Sequence, residues 1–161
     1  ANIVKAIRSN VSDNFIVGLR FSQWKQQDYE AKLATSSEEL LKVIKQPADA
    51  GLDYLHSSMR RFWESEFKGS DENLAFWTKK LTGLPTISVG SVGLDSDFID
   101  MSAPASPRNI DKAISDISNK KYDMVAVGRA LLADYEWVIK MREGRIKDII
   151  PYTKEALYKL Y

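Results

Sequence analysis

The chain has 161 residues, with 23 Lys+Arg against 22 Asp+Glu, one His and no Cys. That length suits one domain with a sizeable core, and 44% hydrophobic with 28% charged residues is a globular composition rather than a disordered or fibrous one. A net charge of +1 gives no electrostatic case for nucleic acid or an acidic membrane surface, and no apolar run approaches the length of a membrane span. The absence of Cys removes disulfides, thiolate nucleophiles and zinc ribbons. The opening residues, Ala1-Asn2-Ile3-Val4-Lys5, show no charged leader followed by an apolar stretch, so no signal peptide is expected and a cytoplasmic location is the default. The first residue is not Met, which leaves open a longer parent chain.

In chain order, four short aliphatic or β-branched runs alternate with helical patterns. The first run, residues 15–21, follows the turn cluster Ser12-Asp13-Asn14, and the second, residues 52–56, is entered through Ala50-Gly51. The third covers 85–89 and the fourth 124–127, so the starts lie roughly 33–39 residues apart, the length of one strand–helix unit with its loops. Between them, Ser36 and Glu39 have capping-box spacing ahead of the stripe Leu40, Leu41, Val43 and Ile44. Ser70-Asp71-Glu72 reads as the start of a second helix, with Leu74, Trp77, Thr78 and Leu81 on one face and Gly83 at its end. A third helix is expected over 107–117, with Ile110, Ala113, Ile114 and Ile117 inward, a fourth over 131–142, and a short last one over 153–160. Regular strand–helix alternation implies right-handed crossovers and a parallel sheet, its strands apolar on both faces.

In parallel α/β folds ligands gather at the carboxyl ends of the strands. There this sequence places Arg20 and Ser22, then His56-Ser57-Ser58, then Gly90-Ser91-Val92-Gly93, then Gly128-Arg129. Glycine turns let backbone N–H groups approach an anion, and a guanidinium adds a fixed fork of donors. The turns have a plainer reading as strand-to-helix connections, and Arg20 one as an ion-pair partner. Arg129 opens a helix, where a cation opposes the macrodipole, so a phosphate between Gly90, Ser91, Gly128 and Arg129 would give it a reason. No P-loop or full dinucleotide fingerprint is present. His56, the lone imidazole, reads as a strand-end packing residue; the acid pairs Glu64/Glu66 and Asp95/Asp97 lack a metal-ligand pattern, and residues 59–63, basic and aromatic, read as a loop over the mouth.

These strand ends resemble a known family. Val17-Gly18-Leu19-Arg20-Phe21-Ser22, Leu52-Asp53-Tyr54-Leu55-His56-Ser57-Ser58, Pro85-Thr86-Ile87-Ser88-Val89-Gly90-Ser91-Val92-Gly93, and Val127-Gly128-Arg129-Ala130-Leu131-Leu132-Ala133-Asp134 with Trp137 are similar to the C-terminal half of the NADH:flavin oxidoreductases of the old yellow enzyme type, which are FMN-binding TIM barrels. The last stretch is the most specific; Tyr135 stands where the family usually has Pro. The resemblance implies that residues 1–161 are a single partial domain, barrel strands five to eight with their helices and a C-terminal helix. It implies FMN bound by Arg20, at the pyrimidine side of the flavin, and by Gly90, Ser91, Gly128 and Arg129 at its phosphate. It further implies NAD(P)H as reductant and an activated alkene or similar electrophile as substrate. No residue matches the family's substrate-orienting pair, so no catalytic residue is assigned and the chain alone is expected not to turn over. A (β/α)₈ barrel needs roughly 250 residues, so four units cannot close one. The uncovered sheet then predicts self-association, pairing with an N-terminal half, or cover by the chain's own later helices. The competing readings are a phosphate-ligand-binding half-barrel without redox activity and a structural fragment that binds nothing.

Overall fold

The computed structural model describes residues 1–25, 27–28, 30–95 and 109–158. Four parallel strands, β1 (Gly18–Ser22), β2 (Tyr54–Ser58), β3 (Thr86–Val89) and β4 (Met124–Val125), lie side by side in chain order. Arg20 pairs with His56, His56 with Ile87, and Ile87 with Met124, so these four share one row and one face of the sheet. The fold class is α/β, as the alternation predicts.

Helix α1 (Asn2–Arg8) is absent from the sequence reading, with physical reason: at seven residues it has no side-chain cap, and such a length is marginal in isolation. Tertiary contacts hold it instead. Arg8 donates to the carbonyls of Gly51 and Phe15, both at 2.6 Å, and pairs with Asp53, while Val4 packs with Val17, Leu52 and Leu55. Helix α2 (Ser37–Asp49) starts where the capping box places it, with the Ser36 hydroxyl accepting from the Glu39 N–H. The Glu39 carboxylate reaches one residue further back, to the Thr35 N–H and hydroxyl, both at 2.8 Å.

Helix α3 (Leu74–Thr82) begins later than Ser70 suggests. Asn73 is its cap, accepting from the Phe76 N–H at 2.9 Å, whereas the Ser70 hydroxyl accepts from Glu72 in a turn upstream. Helix α4 (Ile110–Ser118) buries Ile110, Ala113 and Asp116; residues 107 and 108, the expected start, lie outside the described residues. Ile114 and Ile117 are exposed rather than inward, because Asp116 takes the inner side by accepting from the Tyr122 hydroxyl at 3.2 Å. The continuous helix expected over 131–142 is two, α5 (Arg129–Ala133) and α6 (Trp137–Arg142), parted at Asp134. Of the expected last helix, a 3-10 turn at Lys154–Leu157 is described, and residues 159–161 lie outside.

One sheet face packs against α2 and α3 around Leu40, Ile44, Phe62, Leu74 and Ala75. The strands are not purely apolar there. Ser57 and Thr86 are fully buried, with Ser57 donating to the Thr78 hydroxyl at 2.9 Å and Thr78 donating on to the Leu74 carbonyl at 2.8 Å. Short side chains that satisfy one another let α3 approach the sheet closely. The other face leaves Gly18, Arg20 and Met124 exposed, so the described helices do not cover it. None of the described helices is long and apolar enough to cross a membrane.

Candidate functional site

The four loops leaving the carboxyl ends of the strands surround one cleft of about 250 Å³. Arg20, Gly90, Ser91, Gly128 and Arg129, proposed from sequence as cofactor ligands, all line it, together with Trp24, Ser58, Met59, Arg60, Val89, Val92, Leu94 and Ala126. Among the described residues, three guanidinium groups and no carboxylate face this space, and its remaining wall is largely apolar. The neighbouring cleft of about 230 Å³ is different: Lys32, Arg60 and Arg61 are matched there by Glu30, Glu64 and Glu66. An anion with an apolar body therefore suits the first cleft and not the second.

Backbone contacts fix the walls. The Met59 N–H donates to the Val89 carbonyl at 2.8 Å, and the Phe62 N–H to the Gly90 carbonyl at 3.0 Å, which staples the loop after β2 onto the turn after β3. That approach requires a glycine: a Cβ on Gly90 would lie 2.7 Å from the Met59 carbonyl oxygen. Ser91 sits at φ +51°, and its hydroxyl donates to the Arg60 carbonyl at 3.2 Å. Arg129 donates to the same hydroxyl at 3.2 Å, so the turns after β3 and β4 meet at one point. A Cβ on Gly128 would meet nothing within 4 Å, which leaves the cleft open beside it. On the far side, Arg20 donates to the Ser58 hydroxyl at 3.1 Å. This arrangement, with glycine turns beside an open space and guanidinium groups on two sides of an apolar wall, suits an anionic group with an apolar body.

No family model matches the chain. It is 30% identical over 155 residues to the NADH oxidase of Thermoanaerobacter brockii, covering 91% of this chain and 21% of that protein. It is 28% identical over 161 residues to the probable NADH-dependent flavin oxidoreductase YqiG of Bacillus subtilis (strain 168), covering 98% of this chain and 39% of that protein. The chain is similar in sequence to proteins named as an NADH oxidase and a probable NADH-dependent flavin oxidoreductase. It spans about a fifth of one curated relative and two fifths of the other. Among solved structures it superposes on morphinone reductase in complex with tetrahydroNAD with a TM-score of 0.52 and 16% identity, over 80% of this chain and 29% of that one. A 2-naphthoyl-CoA reductase bound to 2-naphthoyl-CoA gives 0.56 and 17%, over 93% and 21%. At such identities these neighbours speak to fold alone: four consecutive strand–helix units of a TIM barrel.

Three residues that shape the site carry no role in the sequence reading. Asn73 both caps α3 and donates to the Phe62 carbonyl at 2.7 Å, clamping the loop that leans on Gly90. Asp134, 1% exposed, accepts from the Lys140 ammonium at 2.8 Å, the Ile150 N–H at 2.9 Å and the Glu136 N–H at 3.1 Å. Burial works to raise its pKa, but Lys140 and the backbone donors outweigh that and hold the carboxyl below the ordinary range. The third, Tyr152, lies beneath Arg129, its ring centre 5.6 Å from the guanidinium carbon. Asn73 and Asp134 carry cap-type residue chemistry in sequence, whereas Tyr152 has no local signal at all.

His56 stands level with Arg20 in the sheet, and its Nε2 is buried with no hydrogen-bond partner among the described residues. Burial, and then the charge of Arg20, hold this imidazole below its usual pKa. Tyr135 is 70% exposed and away from the buried core. Glu66 accepts from Lys32 and Gln23, and no group of three or more metal-ligating side chains occurs among the described residues.

Proposed function

We propose that residues 1–161 form strands five to eight of an FMN-binding (β/α)₈ barrel, the C-terminal portion of an NAD(P)H-dependent flavin oxidoreductase of ene-reductase type. The observation that carries this reading is the cleft itself, lined among the described residues by three arginines, no acid and an apolar wall at the carboxyl ends of the strands. Names of the sequence relatives, NADH oxidase and NADH-dependent flavin oxidoreductase, support the same reading. Gly90, Ser91, Gly128 and Arg129 hold the phosphate, Trp24, Met59 and Val89 offer an apolar wall, and Arg20 supplies positive charge to the pyrimidine side of the ring. Bound FMN supplies hydride relay from reduced nicotinamide to an activated alkene or similar electrophile; the chain's residues supply placement and electrostatics. No substrate-orienting pair is assigned in this chain, so it does not turn over alone.

Titration with FMN, followed by flavin fluorescence, tests the assignment. Arg129→Ala should weaken FMN by about 1.5–3 kcal/mol, roughly ten- to a hundredfold, and leave riboflavin almost unaffected. Unchanged FMN affinity in that variant would remove Arg129 from the phosphate site. A phosphate-ligand half-barrel without redox activity is the second reading, favoured if inorganic phosphate displaces FMN while riboflavin neither binds nor competes; Arg20, which such a binder does not need, argues against it.

The open sheet face and the outer edges of β1 and β4 call for a partner, either an N-terminal half-barrel or a second copy. Sedimentation of the isolated chain at micromolar concentration should therefore show species heavier than 18.3 kDa. A folded, monodisperse species of that mass would refute pairing with a second copy.

A further inference from the structure

Tyr152 is 3% exposed and packs with Leu94, Ile110, Ala130, Ala133, Trp137 and Ile149. Its hydroxyl is buried and has no hydrogen-bond partner among the described residues. A buried phenol that leaves its oxygen unsatisfied loses stability relative to phenylalanine, so hydrogen bonding does not account for this side chain. What the residue does contribute is a ring face. The Arg129 guanidinium carbon lies 5.6 Å from the ring centre, within the range in which an aromatic quadrupole attracts a cation. From that position Arg129 reaches the Ser91 hydroxyl at 3.2 Å, at the point where the turns after β3 and β4 converge.

We propose that Tyr152 is the positioning residue for Arg129: its ring carries the guanidinium so that the N–H edge is turned toward Ser91 and the cleft. The role in ligand binding rests on the phosphate assignment made under Proposed function. A guanidinium is long, flexible and costly to order, and a flat apolar ring that attracts it removes much of that cost before an anion arrives. The ring is itself fixed from behind. Asp134 accepts from the Ile150 N–H at 2.9 Å, two residues before Tyr152, and thereby ties the segment carrying the ring to the helix pair that carries Arg129. Selectivity follows: a phosphate monoester gains from the oriented fork, and an uncharged ligand of the same ring system does not.

The test compares wild-type protein with Tyr152→Phe and Tyr152→Leu by two readouts. The first needs no ligand. The Arg129 Nε–H resonance, assigned by its loss in Arg129→Lys, should lie upfield through the ring current in wild type and Tyr152→Phe, and should return to the position of an unstacked arginine in Tyr152→Leu. An unshifted resonance in the wild type overturns the contact, whether or not the leucine variant folds. The second readout is the dissociation constant of FMN set against that of riboflavin. Tyr152→Phe should match the wild type, whereas Tyr152→Leu should weaken FMN by about three- to thirtyfold and spare riboflavin. Equal loss for both ligands, or loss in Tyr152→Phe, would assign Tyr152 to packing or to its hydroxyl and overturn the proposal. Failure of the wild type to bind FMN would instead overturn the phosphate assignment, and the resonance would still decide whether Tyr152 orients Arg129.

Discussion

Asp134→Ala is expected to destabilise the chain by about 3–5 kcal/mol, because it takes the nearer carboxylate from the buried Lys140 ammonium and leaves it the more distant Glu136 at 3.9 Å. Lys140 is 7% exposed, and Asp134 is also the acceptor for the Ile150 and Glu136 N–H groups, so one deletion strands three donors. Urea unfolding measures the loss. The double variant Asp134→Asn/Lys140→Met keeps an acceptor for one of the two backbone N–H groups and removes the buried ammonium, so it should lose clearly less than the single variant. Acid dependence gives a second check. The carboxyl is held below its ordinary range in the folded state, so its contribution is complete above the unfolded value of about 3.9 and fades as pH falls through the lower folded value. Wild-type stability should therefore drop more steeply below about pH 4 than that of the double variant. A loss in Asp134→Ala smaller than about 1 kcal/mol would show that the pair is not structural.

Phe62→Ala should also cost about 3–5 kcal/mol, for a different reason. The ring is fully buried, meets Trp63 edge-on with centroids 5.5 Å apart, and belongs to the cluster of Leu40, Ile44 and Leu74. Its backbone donates to the Gly90 carbonyl and accepts from Asn73, so the residue joins the core to the turn proposed to hold phosphate. The cavity should loosen that turn as well as lower the unfolding midpoint. FMN affinity should fall in samples that remain folded, while Phe62→Leu should recover most of both properties. If Phe62→Ala binds FMN like the wild type once folded, the loop after β2 does not support the site.

The strands and the strand-end residues were legible because their signals are local. Short aliphatic runs at regular spacing specify parallel units, and Gly90, Ser91, Gly128 and Arg129 stand where such a sheet must present its loops. Ser36 and Glu39 likewise carry their cap within four residues. Elsewhere the deciding contact is distant. Ser70 looks like a cap, but Asn73 also meets the Phe62 carbonyl and so sets the start of α3. The helix over 131–142 breaks because Asp134 turns inward to Lys140 and Ile150. Ile114 and Ile117 fit an amphipathic stripe, yet the bond between Asp116 and Tyr122 rotates α4 away from it. Tyr152 reaches Arg129 across 22 intervening positions in a segment with no periodic pattern of its own. Local rules describe elements; the partners of buried polar groups decide how those elements end and turn.

Spatial order in this sheet follows chain order, and that has a consequence for synthesis. Each new strand docks beside the one made just before it, so assembly is stepwise and every pairing closes a loop of similar, moderate size. Arg20 reaches its place on the ribosome-distal side well before Gly128 and Arg129 are translated. A nascent chain stopped between β3 and β4 would thus hold Arg20 and half of the proposed anion cradle, and on that proposal would gain grip on a phosphorylated ligand only with its last unit.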